Sequence, residues 1–180
     1  MTILLDKRHV DLKTLCADDS RPGLASLHVT PRYIEASNGH VLIRVPLATE
    51  ENEFPVDPKT VGEEVPEAGI LVSPASLEKA LKNSCKQLPK VHVSQTDGNP
   101  ILQATDLETA VTIKGKNNGA QYPNANQCIP QNVPYSVSVD AHKLKLIVDW
   151  ACKHAEGTEG IACLRFHISS PTGTVLIEMP

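Results

Sequence analysis

The sequence predicts an α+β fold, with helices laid on one face of antiparallel sheet. Two observations carry this. An apolar strand motif recurs along the chain at a fixed interval, and each copy repeats the same order of helix and strand signals. Val41-Leu42-Ile43-Arg44-Val45-Pro46 returns 134 residues later as Val175-Leu176-Ile177-Glu178-Met179-Pro180, and Glu108-Thr109-Ala110-Val111-Thr112-Ile113 stands halfway, 67 residues from each. Ala36-Ser37-Asn38 matches Ala104-Thr105-Asp106 at a shift of 68, and the helix starts at Pro74 and Ala141 are 67 apart. A unit of about 67 residues is too long for a solenoid repeat and marks a duplicated supersecondary module.

In the first copy, strands are expected at Ser26 to Val29, Tyr33 to Ser37 and His40 to Val45. The last two are joined by Asn38-Gly39, a two-residue hairpin signal. Its helix must fit between His9 and Asp19. The second copy opens with the strand Ile70-Leu71-Val72, then Ser73 as helix cap and Pro74 at the first helical position. Leu77, Ala80, Leu81, Ser84, Cys85 and Leu88 share one side at helical spacing. Val91-His92-Val93, a turn over Thr96 to Pro100, Ile101 to Thr105 and Thr109 to Ile113 complete a βαβββ module. The third copy follows suit. Tyr135 to Val139 alternates, Asp140 caps, and Leu144, Ile147, Val148 and Ala151 form a stripe expected to be buried. Two strands follow, carrying Leu164, Phe166 and Ile168, then Thr174 to Met179. The division expected is a two-module domain over 1–130 and a half-domain over 131–180.

Composition narrows the function. The chain has 180 residues, 41% of them hydrophobic and only 3% aromatic, so its core must be aliphatic. That scarcity also argues against an aromatic platform for single-stranded nucleic acid. No apolar run approaches a membrane span and the first residues do not read as a signal peptide, so a cytoplasmic protein is expected. Five cysteines (Cys16, Cys85, Cys128, Cys152 and Cys163), an odd count with no C-x-x-C pair, predict reduced, mostly buried thiols. The seven scattered histidines give no metal site, and no cofactor is expected. Residues 48–68 hold seven acids against the single base Lys59, a net −6 within a chain of net −4. With four prolines in or beside it, this segment reads as a solvated acidic connector, the alternative being a regulatory or DNA-mimicking role.

The helix faces turned from the core bear on function. With Leu77 as the buried direction, steps of ~100° put Lys82, Lys86 and Lys79 at about 140°, 180° and 200°. That basic stripe has only Glu78 at its border. On the third-copy helix Lys153 lies opposite the core, flanked by Lys143 and Lys145, with Asp149 and Leu146 on the same side. Lysines of this kind suit phosphate contact without base readout.

Four stretches resemble the bacterial sliding clamp, the beta subunit of the DNA polymerase III holoenzyme. Asp18 to Leu24 is similar to the entry to that family's middle domain. Ala36-Ser37-Asn38-Gly39-His40-Val41-Leu42 resembles its A-T-D-G-H-R-L segment. Ile70 to Leu81 resembles a strand and helix of the family, and Gly119 to Asn124, running to Cys128-Ile129-Pro130, its connector into the last domain. Val41 stands where the family has arginine, Asn38 and Asn124 where it has aspartate, and Ala125 where it has tyrosine.

The resemblance implies a DNA clamp-like fold and a non-enzymatic protein that tethers replication or repair proteins to duplex DNA, helices inside and sheets outside. Its family builds each domain from two modules, so three modules amount to one and a half domains. Closing a ring would then need several copies, and a homo-oligomer is expected. The resemblance also implies a groove for short partner peptides, walled by Ser37, Gly39, His40, Val41 and Leu42, by Pro123, Gln127 and Cys128, and by Met179. The alternative is a clamp-fold module that binds or inhibits replication partners without encircling DNA. An enzyme built on Cys152 and His154, or on Cys163 and His167, fails on geometry. Residues two apart on a helix diverge by ~160° and residues four apart on a strand do not touch.

Overall fold

The computed structural model describes residues 2–47, 54–57, 59–60, 62–117, 119–127, 139–154, 165–168 and 175–178. The chain divides into two compact units, Met1–Asn126 and Gln127–Pro180.

The first unit runs β1 (Ile3–Leu5), α1 (Lys7–Asp11), β2 (Leu27–Val29), β3 (Tyr33–Ser37), β4 (Leu42–Pro46), β5 (Ile70–Val72), α2 (Pro74–Leu81), β6 (Val91–Thr96), β7 (Asn99–Thr105) and β8 (Ala110–Lys114). The βαβββ order therefore occurs twice. A strand before α1, absent from the sequence reading, completes the first module. The two modules exchange their leading strands: β1 joins the sheet β1-β6-β7-β8, and β5 joins the sheet β4-β3-β2-β5. Every pairing is antiparallel. This mixed α/β arrangement with antiparallel sheets agrees with the α+β expectation. One aliphatic core joins both halves, with Leu5, Leu27, Val29, Ile34, Val72, Leu77, Val91 and Leu102 almost fully buried. α2 packs on the second module's sheet and against α1. At about 25 cal/mol per Å² of apolar surface removed from water, this shared core is what makes two small modules one unit.

The duplication is visible bond by bond in the β3–β4 and β7–β8 loops. Asn38 Oδ1 accepts from His40 N (2.9 Å) and Val41 N (3.0 Å), as Asp106 Oδ1 accepts from Glu108 N (3.0 Å) and Thr109 N (2.6 Å). Ser37 Oγ takes Gly39 N at 3.0 Å, as Thr105 Oγ1 takes Leu107 N at 2.9 Å. Gly39 and Leu107 both adopt positive φ, +91° and +78°. These side-chain bonds widen the first loop to four residues, because Ser37 pairs with Leu42 rather than with His40. The two-residue hairpin lies elsewhere, at Asp97-Gly98, where Thr96 already pairs with Asn99. Both residues there have positive φ, as a type I′ turn requires.

α2 ends at Leu81, well short of the expected stripe through Leu88. Asn83 Nδ2 donates to Lys79 O (2.7 Å) and Ser84 Oγ to Leu81 O (2.7 Å), taking carbonyls that another helical turn would need. Ser73 occupies the cap position, but its side chain makes no capping bond. α1 starts earlier than expected, capped by Asp6, and passes into a 3₁₀ turn, Leu12–Leu15.

The acidic connector is not a free linker. Phe54 and Val65 are buried, Glu63 forms a β-bridge with Gln95, and Gln95 Nε2 donates to Glu63 Oε2 at 2.6 Å. Phe54 stacks on His92, and Thr60 bonds both Gln103 and Thr112. These described residues lie over the outer face of the second sheet.

In the second unit, α3 (Ala141–His154) is capped by Asp140, which accepts from His142 N at 2.8 Å, and β9 (Arg165–Ile168) pairs antiparallel with β10 (Val175–Glu178). The expected stripe of α3 is not sealed: Ile147 is 36% and Val148 37% exposed, and Leu144 is half-buried. Of the strand expected before it, Tyr135 to Ser138 lie outside the described residues. Nor are the cysteines mostly buried. Cys16 and Cys85 are half-buried and Cys152 is exposed, all three as free thiols, while Cys128 and Cys163 lie outside the described residues.

Candidate functional site

Three surfaces of the first unit carry chemistry. The first is the exposed side of the α1–α2 pair. Lys79 is exposed within α2 and Lys82 exposed at its C-terminal cap, but Lys86 lies beyond the helix end, so the stripe is two lysines of the helix and its cap and one on the turn that follows. α1 brings Lys7 and Arg8, and the 3₁₀ turn brings Lys13, all exposed; the sequence reading missed these cations because it did not place this helix start. Glu78 bridges the two elements, bonding Lys13 Nζ at 3.0 Å and approaching Lys82 Nζ at 3.5 Å. Those cations, with the Lys13 hydrogen bond foremost, hold the Glu78 carboxyl below its ordinary range. The surface is net basic yet partly self-neutralised, suited to contact with phosphate rather than to base recognition.

The second surface is the β3–β4 loop end. His40 and Val41 are exposed, Gly39 and Leu42 sit at the loop's edges, and buried Ser37 spends its hydroxyl on Gly39 N. Pro123 belongs to a segment over the outer face of the first sheet. It lines a cavity that none of Ser37, Gly39, His40, Val41 and Leu42 reaches. Gln127 is exposed at the end of a 3₁₀ turn, and Cys128 and Met179 lie outside the described residues. Among the described residues, then, the β3–β4 loop and Pro123 do not line one cavity.

The third surface is that cavity, about 500 Å³, between the first sheet and residues 120–126. Strand alternation turns Ile34 and Ala36 to the core and Glu35 outward. The register then sets His28 opposite Glu35 and Glu35 opposite Arg44. Glu35 is 1% exposed, and its Oε1 accepts from both Nε and Nη2 of Arg44. Its Oε2 lies 3.2 Å from His28 Nδ1, while His28 Nε2 lies 2.9 Å from Ala68 O. Both ring nitrogens thus face oxygen atoms. The Arg44 guanidinium sits 4.0 Å above the Tyr33 ring, and Nη2 also donates to Asn126 Oδ1 at 2.8 Å. Tyr122 stacks on His28 at 4.6 Å, and burial, with the Glu35 charge behind it, raises its phenol well above the ordinary value. The sequence reading passed over His28, Glu35 and Arg44. A four-residue loop would have aligned Glu35 with Arg44, but the Asn38-Gly39 signal pointed to a shorter turn.

On α3, Lys143 and Lys145 are exposed, Lys145 pairing with Asp149 at 2.9 Å; Lys153 lies in the last turn. Among the described residues, no group of three or more His, Cys, Asp or Glu is placed to hold a metal ion, and no helix is long and apolar enough to cross a membrane. The chain matches no protein-family model, no curated protein and no solved structure.

Proposed function

We propose that this chain is a non-enzymatic, sliding-clamp-like protein of the cytoplasm, which works as an assembly of copies and holds replication or repair proteins at duplex DNA. The observation that supports this reading is the strand-exchanged pair of βαβββ modules, whose helices pack together and carry exposed cations from both halves, Lys13 and Lys82 meeting at Glu78. Lys79, Lys82 and Lys86, joined by Lys7, Arg8 and Lys13, meet the phosphate backbone, with Lys143, Lys145 and Lys153 of the second unit as further contacts. Binding of this type releases counterions, so its affinity falls steeply with salt.

A salt titration of binding to closed circular duplex tests the reading. Replacing Lys79, Lys82 and Lys86 with glutamate is expected to abolish binding at low salt. Milder alanine variants are expected to reduce the log–log salt slope by about 0.9 for each phosphate that is no longer neutralised. Binding with an unchanged slope in the triple variant refutes it.

A second reading, a clamp-fold module that binds partner proteins without encircling DNA, is favoured by the cavity over His28, Glu35 and Arg44. Retention of a polymerase or clamp-loader component on the immobilised protein, abolished by Arg44→Ala while DNA binding persists, would select it.

A further inference from the structure

The loop between β3 and β4 holds a reactive pair. Among the described asparagines, Asn38 alone precedes a glycine. The sequence contains one more such pair, Asn118-Gly119, whose asparagine lies outside the described residues. Because Gly39 has no side chain, nothing crowds the approach of its nitrogen to Cγ of Asn38. Gly39 is also exposed, so water reaches the loop.

The hydrogen bonds of the loop set what that approach meets. Oδ1 of Asn38 accepts from His40 N at 2.9 Å and from Val41 N at 3.0 Å. Two backbone donors on one amide oxygen stabilise the negative charge it gains when a nucleophile adds to its carbon. Nδ2, the nitrogen that would leave, donates to none of the described residues. One contact restrains the attack. Gly39 N donates to Ser37 Oγ at 3.0 Å and has to give up that bond first. Other asparagines are placed differently: Nδ2 of Asn83 donates to Lys79 O and Nδ2 of Asn99 to Thr96 O, and Asn99 precedes a proline, which has no N–H.

We propose that Asn38 is a site of spontaneous deamidation. A bond forms from Gly39 N to Asn38 Cγ and the Cγ–Nδ2 bond breaks. The Gly39 N–H proton leaves with Nδ2 as ammonia, and a cyclic imide remains. Water then opens either carbonyl of the imide, giving aspartate or an isoaspartate whose main chain runs through Cγ. The second module shows that the fold accepts the aspartate. Asp106 stands at the same place, and its Oδ1 takes Glu108 N and Thr109 N in the same two bonds. Conversion puts a negative charge at the loop end near Arg21, whose Nη1 donates to Asn38 O at 3.4 Å. This step depends on neither DNA binding nor the cavity of the first unit.

Incubation of the whole chain at neutral pH, followed by mass spectrometry of its tryptic peptides, tests this. Peptide 33–44 holds Asn38 and no other asparagine, so it separates this site from Asn118. The same synthetic peptide, free in solution, is the reference. Asn38 is expected to turn into acid in the folded chain while Asn83 and Asn99 remain amides. Ser37→Ala, which frees the Gly39 nitrogen, is expected to speed conversion about fivefold, the worth of one ordinary hydrogen bond. Because that substitution also risks loosening the loop, Asn38→Asp provides a second readout. It is expected to melt at the same temperature as the wild type. Asn38 still an amide once the free peptide has fully converted, or no acceleration in Ser37→Ala, or a clear drop in melting temperature in Asn38→Asp, overturns the proposal.

Discussion

Across the first sheet runs the row His28, Glu35 and Arg44; in the matching register of the second sheet stand His92, Gln103 and Thr112. Both rows face away from the shared core, and both lie under a strap with an aromatic ring on the histidine, Tyr122 in one case and Phe54 in the other. The second strap sits tightly, since Thr60 contacts Gln103 at 2.6 Å and Thr112 at 3.1 Å. The first leaves about 500 Å³ open over a buried ion pair. A neutral row holds a strap in place perfectly well, as the second sheet demonstrates. Burying a carboxylate and a guanidinium is a poor route to stability, because desolvation offsets most of the attraction. The charged row thus supports the second reading proposed above, a surface for a partner protein, with the neutral row as its structural counterpart.

The sharpest way to break that comparison is to convert one row into the other. Arg44→Thr alone leaves Glu35 buried without its cation and is expected to cost about 3 kcal/mol or more in denaturant unfolding. Adding Glu35→Gln, which recreates the Gln–Thr pair of the second sheet, is expected to recover at least half of that loss. If the double variant is no more stable than the single one, the rows are not interchangeable and the comparison fails.

The two loops offer a smaller effect. Gly39 and Leu107 share a left-handed backbone, but leucine adopts that conformation only with steric strain, and Leu107 is 61% exposed, with little packing around its side chain. Leu107→Gly is expected to be neutral or to stabilise by up to about 1 kcal/mol, and Gly39→Leu to destabilise by about 1–2 kcal/mol, both read from thermal unfolding. A clear drop in stability on Leu107→Gly would mean that the side chain packs in a way that the loop comparison overlooks.

The least effect is expected with pH. Burial holds the His92 imidazole below its ordinary value, against the opposing effect of a hydrogen bond with Gln103. The folded state therefore binds this proton less readily than the unfolded chain. Stability is full above the ordinary histidine value, near 6.5, and falls as pH drops below it, because the unfolded state gains the proton first. His92→Gln is expected to flatten this fall between about pH 7 and 5. An unchanged profile would place the loss on His9, whose buried ring shifts the same way.

Legibility in the sequence followed the range of the interaction. The repeat, the strand cores, the Pro74 start of α2 and the Asp140 cap of α3 depend on residues within a turn or a hairpin of each other, and these were readable. The turn over Thr96 to Pro100 is readable as well, whereas the Asn38-Gly39 loop is two residues longer than its dipeptide signal suggests, because Ser37 and Asn38 decide it through side-chain hydrogen bonds that a dipeptide signal does not carry. Lys86 was placed on a helix that Asn83 and Ser84 had already stopped.

The amino-acid sequence by itself determined a duplicated α+β brick with an aliphatic core and basic helix flanks, because hydrophobic period and capping are local properties. Only the tertiary structure decided that the bricks trade their first strands, that the acidic connector packs through Phe54 and Val65, and that His28, Glu35 and Arg44 meet in one row. Those outcomes join residues up to 90 positions apart, as the paired Ile3 and Val93 are. Across such separations the register of neighbouring strands, not the pattern along any one of them, selects which side chains touch.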